Sequence, residues 1–154
     1  MSTSSGGPFG DEGKGREILE KLDHIGIAVP DLSKAVAFYE GTLGVPCAGV
    51  EEVATEAVRV AFFPVHGVNL ELLEPTSPHS AIQKFLEKRG PGIHHLCFEV
   101  EDIEGALMHL EEKGVRLIDE RPRPGAHGTR VAFLHPAATG GLLIELKQRQ
   151  EVSR

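Results

Sequence analysis

Four side chains, His24, Glu71, His95 and Glu145, have types and spacing that could do chemistry together. His24 leads the run Ile25-Gly26-Ile27-Ala28-Val29, and 71 residues later His95 leads Leu96-Cys97-Phe98-Glu99-Val100. Each histidine is followed by a glutamate in an apolar run, Leu70-Glu71-Leu72 after 47 residues and Ile144-Glu145-Leu146 after 50. A carboxylate between large apolar neighbours is costly to bury unless it is paired or bound to a cation. Two imidazoles and two carboxylates suit a divalent transition ion that keeps positions for water or substrate oxygens. Magnesium or calcium would more often take an all-oxygen shell. A single histidine at a strand start is usually structural; what singles out this set is that all four members match across a repeat.

The elements that must position these groups repeat in the same way. Leu22 to Val29 alternates with period two, as does Ile93 to Val100, so each histidine faces a cleft while Ile25, Ile27 and Val29, or Leu96, Phe98 and Val100, face the opposite way. After the first strand, Asp31 is a candidate cap for a helix carrying Leu32, Ala35, Val36 and Tyr39 on one stripe and ending near Leu43-Gly44. Three strands are predicted at Val50 to Val53, Val58 to Phe63 and Val68 to Leu73, with breaks near Glu56 and at His66-Gly67. Ser80 and Gln83 have capping-box spacing for a short connector helix over 80–90, which Gly90-Pro91-Gly92 ends. The second half repeats the first: Asp102 as cap, then Ile103, Ala106, Leu107 and Leu110, with Gly114 in the part of Gly44. Strands are expected at Val115 to Ile118, Arg130 to Leu134 and Leu142 to Leu146, and a loop from Arg121 to Thr129. The fold class is therefore α+β: two βαβββ modules, 22–75 and 93–147, related by a pseudo-two-fold axis and forming a curved mixed sheet around a metal site.

Other polar residues fit the site less well. Glu99 shares a face with His95 but lies roughly 13 Å further along the strand, too far for one ion. His94 is expected to point away from His95, in a packing or supporting role, and Glu74 to be exposed. His66, His79, His109 and His135 lack partners at ligand spacing. Arg116, Arg121, Arg123 and Arg130 form a basic run that could hold phosphate or carboxylate, or simply be solvated.

With 154 residues the chain makes one domain over 21–148, with tails at 1–20, rich in Gly and Ser and expected to be flexible, and at 149–154. A net charge of -7 argues against nucleic acid as a partner. Cys47 and Cys97, without CxxC spacing, are read as small buried side chains rather than a disulfide or thiolate zinc site. No apolar run has the length of a membrane span or a signal peptide, so no membrane partner and a cytoplasmic location are expected.

From Leu22 to Lys147 the chain resembles the vicinal oxygen chelate superfamily. Within it, Glu71-Leu72-Leu73-Glu74-Pro75, Gly92-Ile93-His94-His95, Arg116-Leu117-Ile118-Asp119-Glu120, Arg121-Pro122-Arg123-Pro124-Gly125-Ala126 and Arg130-Val131-Ala132-Phe133-Leu134-His135-Pro136 are similar to the methylmalonyl-CoA epimerases. That resemblance implies a 1,1-proton transfer that inverts C2 of a CoA thioester through an enolate. It further implies His24, Glu71, His95 and Glu145 as ligands, cobalt as the first-choice ion with nickel, manganese or zinc as substitutes, and a homodimer. Glu145 is the expected base on one face. A glutamate that serves as the other base in some members is Val60 here, and Glu71 stands where some have glutamine, so Glu71 is expected to supply the second base, with Glu56 behind it. His127 replaces a usual glycine. The alternative is a glyoxalase I-type lactoylglutathione lyase using the same metal set; a metal-free ligand-binding module and an extradiol dioxygenase fit less well.

Overall fold

The computed structural model describes residues 17–149. The parts of the expected tails at 1–16 and 150–154 lie outside the described residues. The first half runs β1 (Lys21–Ala28), α1 (Leu32–Val36, continued by a π-helical turn Ala37–Thr42), β2 (Gly49–Val53), β3 (Val58–Val65) and β4 (Val68–Pro75). After α2 (Ala81–Arg89), the second half runs β5 (Gly92–Glu99), α3 (Ile103–Glu112), β6 (Arg123–Pro124), β7 (Arg130–Leu134) and β8 (Leu143–Gln148).

All eight strands form one curved sheet in the order β2-β3-β4-β1-β5-β8-β7-β6. The order reads the same from either edge once β1 is exchanged with β5, β4 with β8, β3 with β7 and β2 with β6, which is the pseudo-two-fold relation. Parallel pairs β1·β4 and β5·β8 flank a central antiparallel pair β1·β5. The four strands that carry the candidate ligands are therefore the four middle strands.

Alternation of side chains divides the sheet into an outer and an inner face. The outer face is apolar. Ala61, Phe63 and Leu72 pack there with Val29 and Leu32 under α1, and Ala132, Leu134 and Leu146 pack with Ile103, Ala106 and Leu107 of α3. Full burial of a side chain such as Phe63 or Leu72 contributes about 1.5–3 kcal/mol. One end of the inner face is closed by α2, whose Ile82 joins Ala28, Val58, Val60 and Leu73. The rest of that face carries the polar groups.

The helix starts follow their caps: Asp31 accepts from Lys34 N, Ser80 from Ile82 N and Asp102 from Gly105 N. β3 and β4 turn on His66-Gly67, both at positive φ, as a two-residue hairpin requires.

Three expectations need correction. Val115 to Ile118 is not a strand: only Leu117 bridges to Leu134, while Arg116 O accepts from His135 N. The edge strand is instead two residues inside the expected loop, Arg123–Pro124, and prolines at 122 and 124 keep it short because they lack the N–H that a ladder needs. Glu74 is not simply exposed, since Oε2 accepts from Leu32 N at 2.8 Å, closing the start of α1, and Oε1 pairs with Arg59 at 3.1 Å. Of the two cysteines, Cys97 is buried and Cys47 only half-buried.

Candidate metal centre

Register places the four candidates in the middle of the inner face. Gly26 of β1 lies between Glu71 on β4 and His95 on β5, and Cys97 lies between His24 on β1 and Glu145 on β8. The two rows are pseudo-two-fold equivalents, so Gly26 and Cys97 occupy matching positions.

Three of the four groups converge. Nε2 of His24 and Nε2 of His95 face each other at 3.1 Å, and Glu145 Oε1 lies 3.4 Å from the first and 3.5 Å from the second. Both histidines are buried and Glu145 nearly so. Glu71 does not join that group: its Oε2 approaches the other nitrogen of His24, Nδ1, at 3.4 Å. β4 lies on the opposite side of β1 from β5 and β8, so Glu71 and Glu145 flank the histidine pair from two sides.

Apposed imidazole nitrogens with a carboxylate oxygen form a borderline-soft donor set that fits a divalent transition ion. Gly26 supports the fit, because the His95 ring occupies the space where any Cβ at 26 would stand.

Electrostatics make the two histidines unequal. Burial works against a charge on His24, but contacts with Asp23, Cys97, Glu145 and Glu71 overcome it and raise the imidazole to about 12. His95 is pushed down to about 4, by burial first, with His24 and His94 also opposing its charge while Glu145 favours it. The pair's positive charge therefore sits on His24, while His95 stays neutral with one N–H. Asp23 is held well below the carboxylate range by its hydrogen bond to His24 and by Lys147. Burial raises Glu71 despite the opposing attraction of His24, which leaves it a stronger base than an exposed glutamate. Burial also pushes the Cys97 thiol up to about 11.

Asp23 and Phe133 were not singled out in the sequence, and His94 and Arg123 were placed differently there. Asp23, 5% exposed, accepts from His24 Nδ1 at 2.8 Å and pairs with Lys147 at 2.9 Å. Its signal was an acid beside a histidine at the head of an apolar strand. His94 does not point away from His95; their Nδ1 atoms are 3.0 Å apart. Phe133 stands edge-on to His95 with ring centroids 6.3 Å apart, and the Arg123 guanidinium lies 5.2 Å above Phe133.

The arginine run does not converge on one site. Arg123 pairs with Asp119 and Arg130 with Glu104 on α3, while Arg116 and Arg121 are exposed. Val60 lies on the inner face but is packed against α2 within the apolar cluster, and His127 is exposed in a left-handed turn conformation. Glu99 lies at the far end of β5, paired with Arg149 at 3.4 Å.

Residues 23–133 match the family model of the Glyoxalase/Bleomycin resistance protein/Dioxygenase superfamily. The chain is 43% identical to human mitochondrial methylmalonyl-CoA epimerase, over 84% of this chain and 74% of that one. It is also 43% identical to the ethylmalonyl-CoA/methylmalonyl-CoA epimerase of Cereibacter sphaeroides, over 85% and 99% of the two chains. Among solved structures, a variant of Streptomyces coelicolor methylmalonyl-CoA epimerase in complex with 2-nitronate-propionyl-CoA superposes with a TM-score of 0.79 at 37% identity, covering 88% of this chain and 99% of that one. No helix among the described residues is long and apolar enough to cross a membrane.

Proposed function

The chain belongs to the Glyoxalase/Bleomycin resistance protein/Dioxygenase superfamily, and on that premise we propose that it interconverts the C2 epimers of methylmalonyl-CoA. The observation that carries this reading is the pair of carboxylates, Glu71 and Glu145, on either side of two apposed histidines. Inversion at carbon requires one group to remove a proton from one face and another to return a proton to the opposite face. A single base would exchange the proton without inverting the centre.

His24, His95 and Glu145 would hold the divalent cation, with Glu71 beside them. When bound, the cation supplies Lewis-acid stabilisation for the negative charge that develops next to the thioester carbonyl as the C2 proton leaves. Glu145 directs Oε1 to the histidines, and we assign its other oxygen to the proton on one face. Glu71, whose proton affinity is raised by burial, takes the other face and fills the place that Val60 cannot. Phe133, edge-on to His95, and the apolar cluster under α2 would limit water around the reacting carbon.

Cobalt is the ion we expect, with nickel, manganese or zinc as substitutes, in a homodimeric cytoplasmic enzyme. The likeness to epimerases in both sequence and structure disfavours the glyoxalase I-type lyase, which the four site residues by themselves left open.

The test is incubation of the cobalt-loaded protein in heavy water with one epimer of methylmalonyl-CoA. Deuterium should enter C2 as the second epimer accumulates. Absence of exchange, together with turnover of a glutathione hemithioacetal, would transfer the site to the lyase.

A further inference from the structure

The central ladder between β1 and β5 is broken twice, and the two breaks are related by the pseudo-two-fold axis. On β1 the pairing passes from Leu22↔Phe98 to His24↔Cys97 and skips Asp23; on β5 it passes from Gly26↔His95 to Ile27↔Ile93 and skips His94. Each unpaired residue immediately precedes a candidate ligand. Neighbours along a regular strand point to opposite faces, so neither side chain could reach the following histidine without such a bulge. Here both do: Asp23 Oδ2 lies 2.8 Å from Nδ1 of His24, and His94 Nδ1 lies 3.0 Å from Nδ1 of His95.

We propose that Asp23 and His94 are paired positioning residues, each accepting the Nδ1 hydrogen of the histidine that follows it and so turning both Nε2 lone pairs onto one cation. The inference rests on the metal-site reading above. A neutral imidazole has one N–H and one lone pair. Ligation through Nε2 puts the hydrogen on Nδ1, and a buried N–H needs an acceptor.

An ionised carboxylate can only accept, and Lys147 at 2.9 Å anchors Asp23 in that role. His94 accepts through Nδ1 when its own hydrogen is on Nε2, and its ring is held edge-on against Phe85 with centroids 5.1 Å apart. A duplicated bulge thus gives each half the same device built from different chemistry, an anion in one half and a neutral ring in the other.

The experiment uses the full chain. With 15N-labelled histidine and Zn2+ as a diamagnetic probe, both His24 and His95 should carry their hydrogen on Nδ1. In cobalt titrations, His94→Phe should weaken binding by about 10- to 100-fold, while His94→Gln, whose amide oxygen still accepts, should stay within about threefold of wild type on the same argument. Equal cobalt affinity in wild type and a folded His94→Phe would overturn the inference while leaving the metal site intact, and a zinc-loaded His95 protonated on Nε2 would overturn it together with ligation through that nitrogen. A wild-type chain that takes up no cobalt would overturn the metal-site reading itself, and this inference with it. The tautomer measurement needs no variant, so a misfolded substitution does not spare the proposal.

Discussion

Gly26 lies against the imidazole of His95 so closely that a Cβ built there would stand 2.2 Å from Cε1, 2.5 Å from Nδ1 and 2.9 Å from Nε2. These contacts are well inside van der Waals distance, and the ring of a buried histidine has little room to retreat. Gly26→Ala should therefore move His95 off the axis. The expected result is at least a tenfold loss of cobalt affinity with a stability cost of about 1–3 kcal/mol, as for other overpacked sites. Calorimetric titration beside a thermal melt would check it, and an alanine variant that binds cobalt like wild type would show that the ring has room.

Glu71 and Glu145 should separate on substitution. Glu71 approaches His24 only through Nδ1 and stands apart from the converging trio. Glu71→Gln is expected to keep cobalt bound within a few-fold while slowing epimerisation by about 10²–10⁴, the usual range for loss of a general base. Glu145→Gln should lower both. Unchanged turnover in Glu71→Gln would remove Glu71 from catalysis and leave Glu56 to be tried.

Metal uptake should release a proton. His24 is raised to about 12 in the metal-free protein, so at pH 7 a cation must displace its hydrogen, whereas His95, lowered to about 4, is already neutral. Near pH 7 we expect release of about one proton per cobalt and affinity rising about tenfold per pH unit. Titrations in buffers of different ionisation enthalpy measure that number directly. A value near zero would mean that His24 is neutral before the ion arrives.

The two histidines should put the stability maximum of the metal-free protein near pH 6.5, the ordinary histidine value, and the raised Glu71 carboxyl, whose contribution is lost as pH rises above 4.5, draws it to the acid side. Because the His24 pKa is raised, its contribution is fully present below 6.5 and is lost as pH climbs towards 12. The lowered pKa of His95 acts in the other direction: between 6.5 and 4 the unfolded chain takes up a proton that the folded chain refuses, so stability falls with pH there. Asp23, depressed by His24 and Lys147, stabilises above its ordinary value of 3.8 and adds a further loss below it. Denaturant midpoints of chelator-treated protein across pH 4 to 10 would trace the curve; a flat profile would contradict the unequal pair.

Much of the candidate site was legible because it was written twice, and of its four residues His24, His95 and Glu145 converge. His24 with Glu71 and His95 with Glu145 share spacing, strand context and apolar neighbours, and a repeat filters out isolated histidines that merely fill space. The helices were legible for a local reason, since Asp31, Ser80 and Asp102 cap within their own turn. Val115 to Ile118 was misread because apolar composition does not reveal whether a partner strand is in reach, and only Leu117 has one.

By itself, the sequence determined the duplication, the alternation that turns both histidines inward and the chemical type of the four site residues, since all of these follow from residue identity and short-range period. Only the tertiary structure decided which groups meet: that Glu71 faces Nδ1 of His24 while Glu145 faces both Nε2 atoms, that Gly26 makes room for His95, and that Asp23 and His94 turn inward. The physical reason is that these contacts depend on register between strands distant in the chain. A bulge that skips one residue reverses the face of a side chain without changing the pattern from which that face would be read.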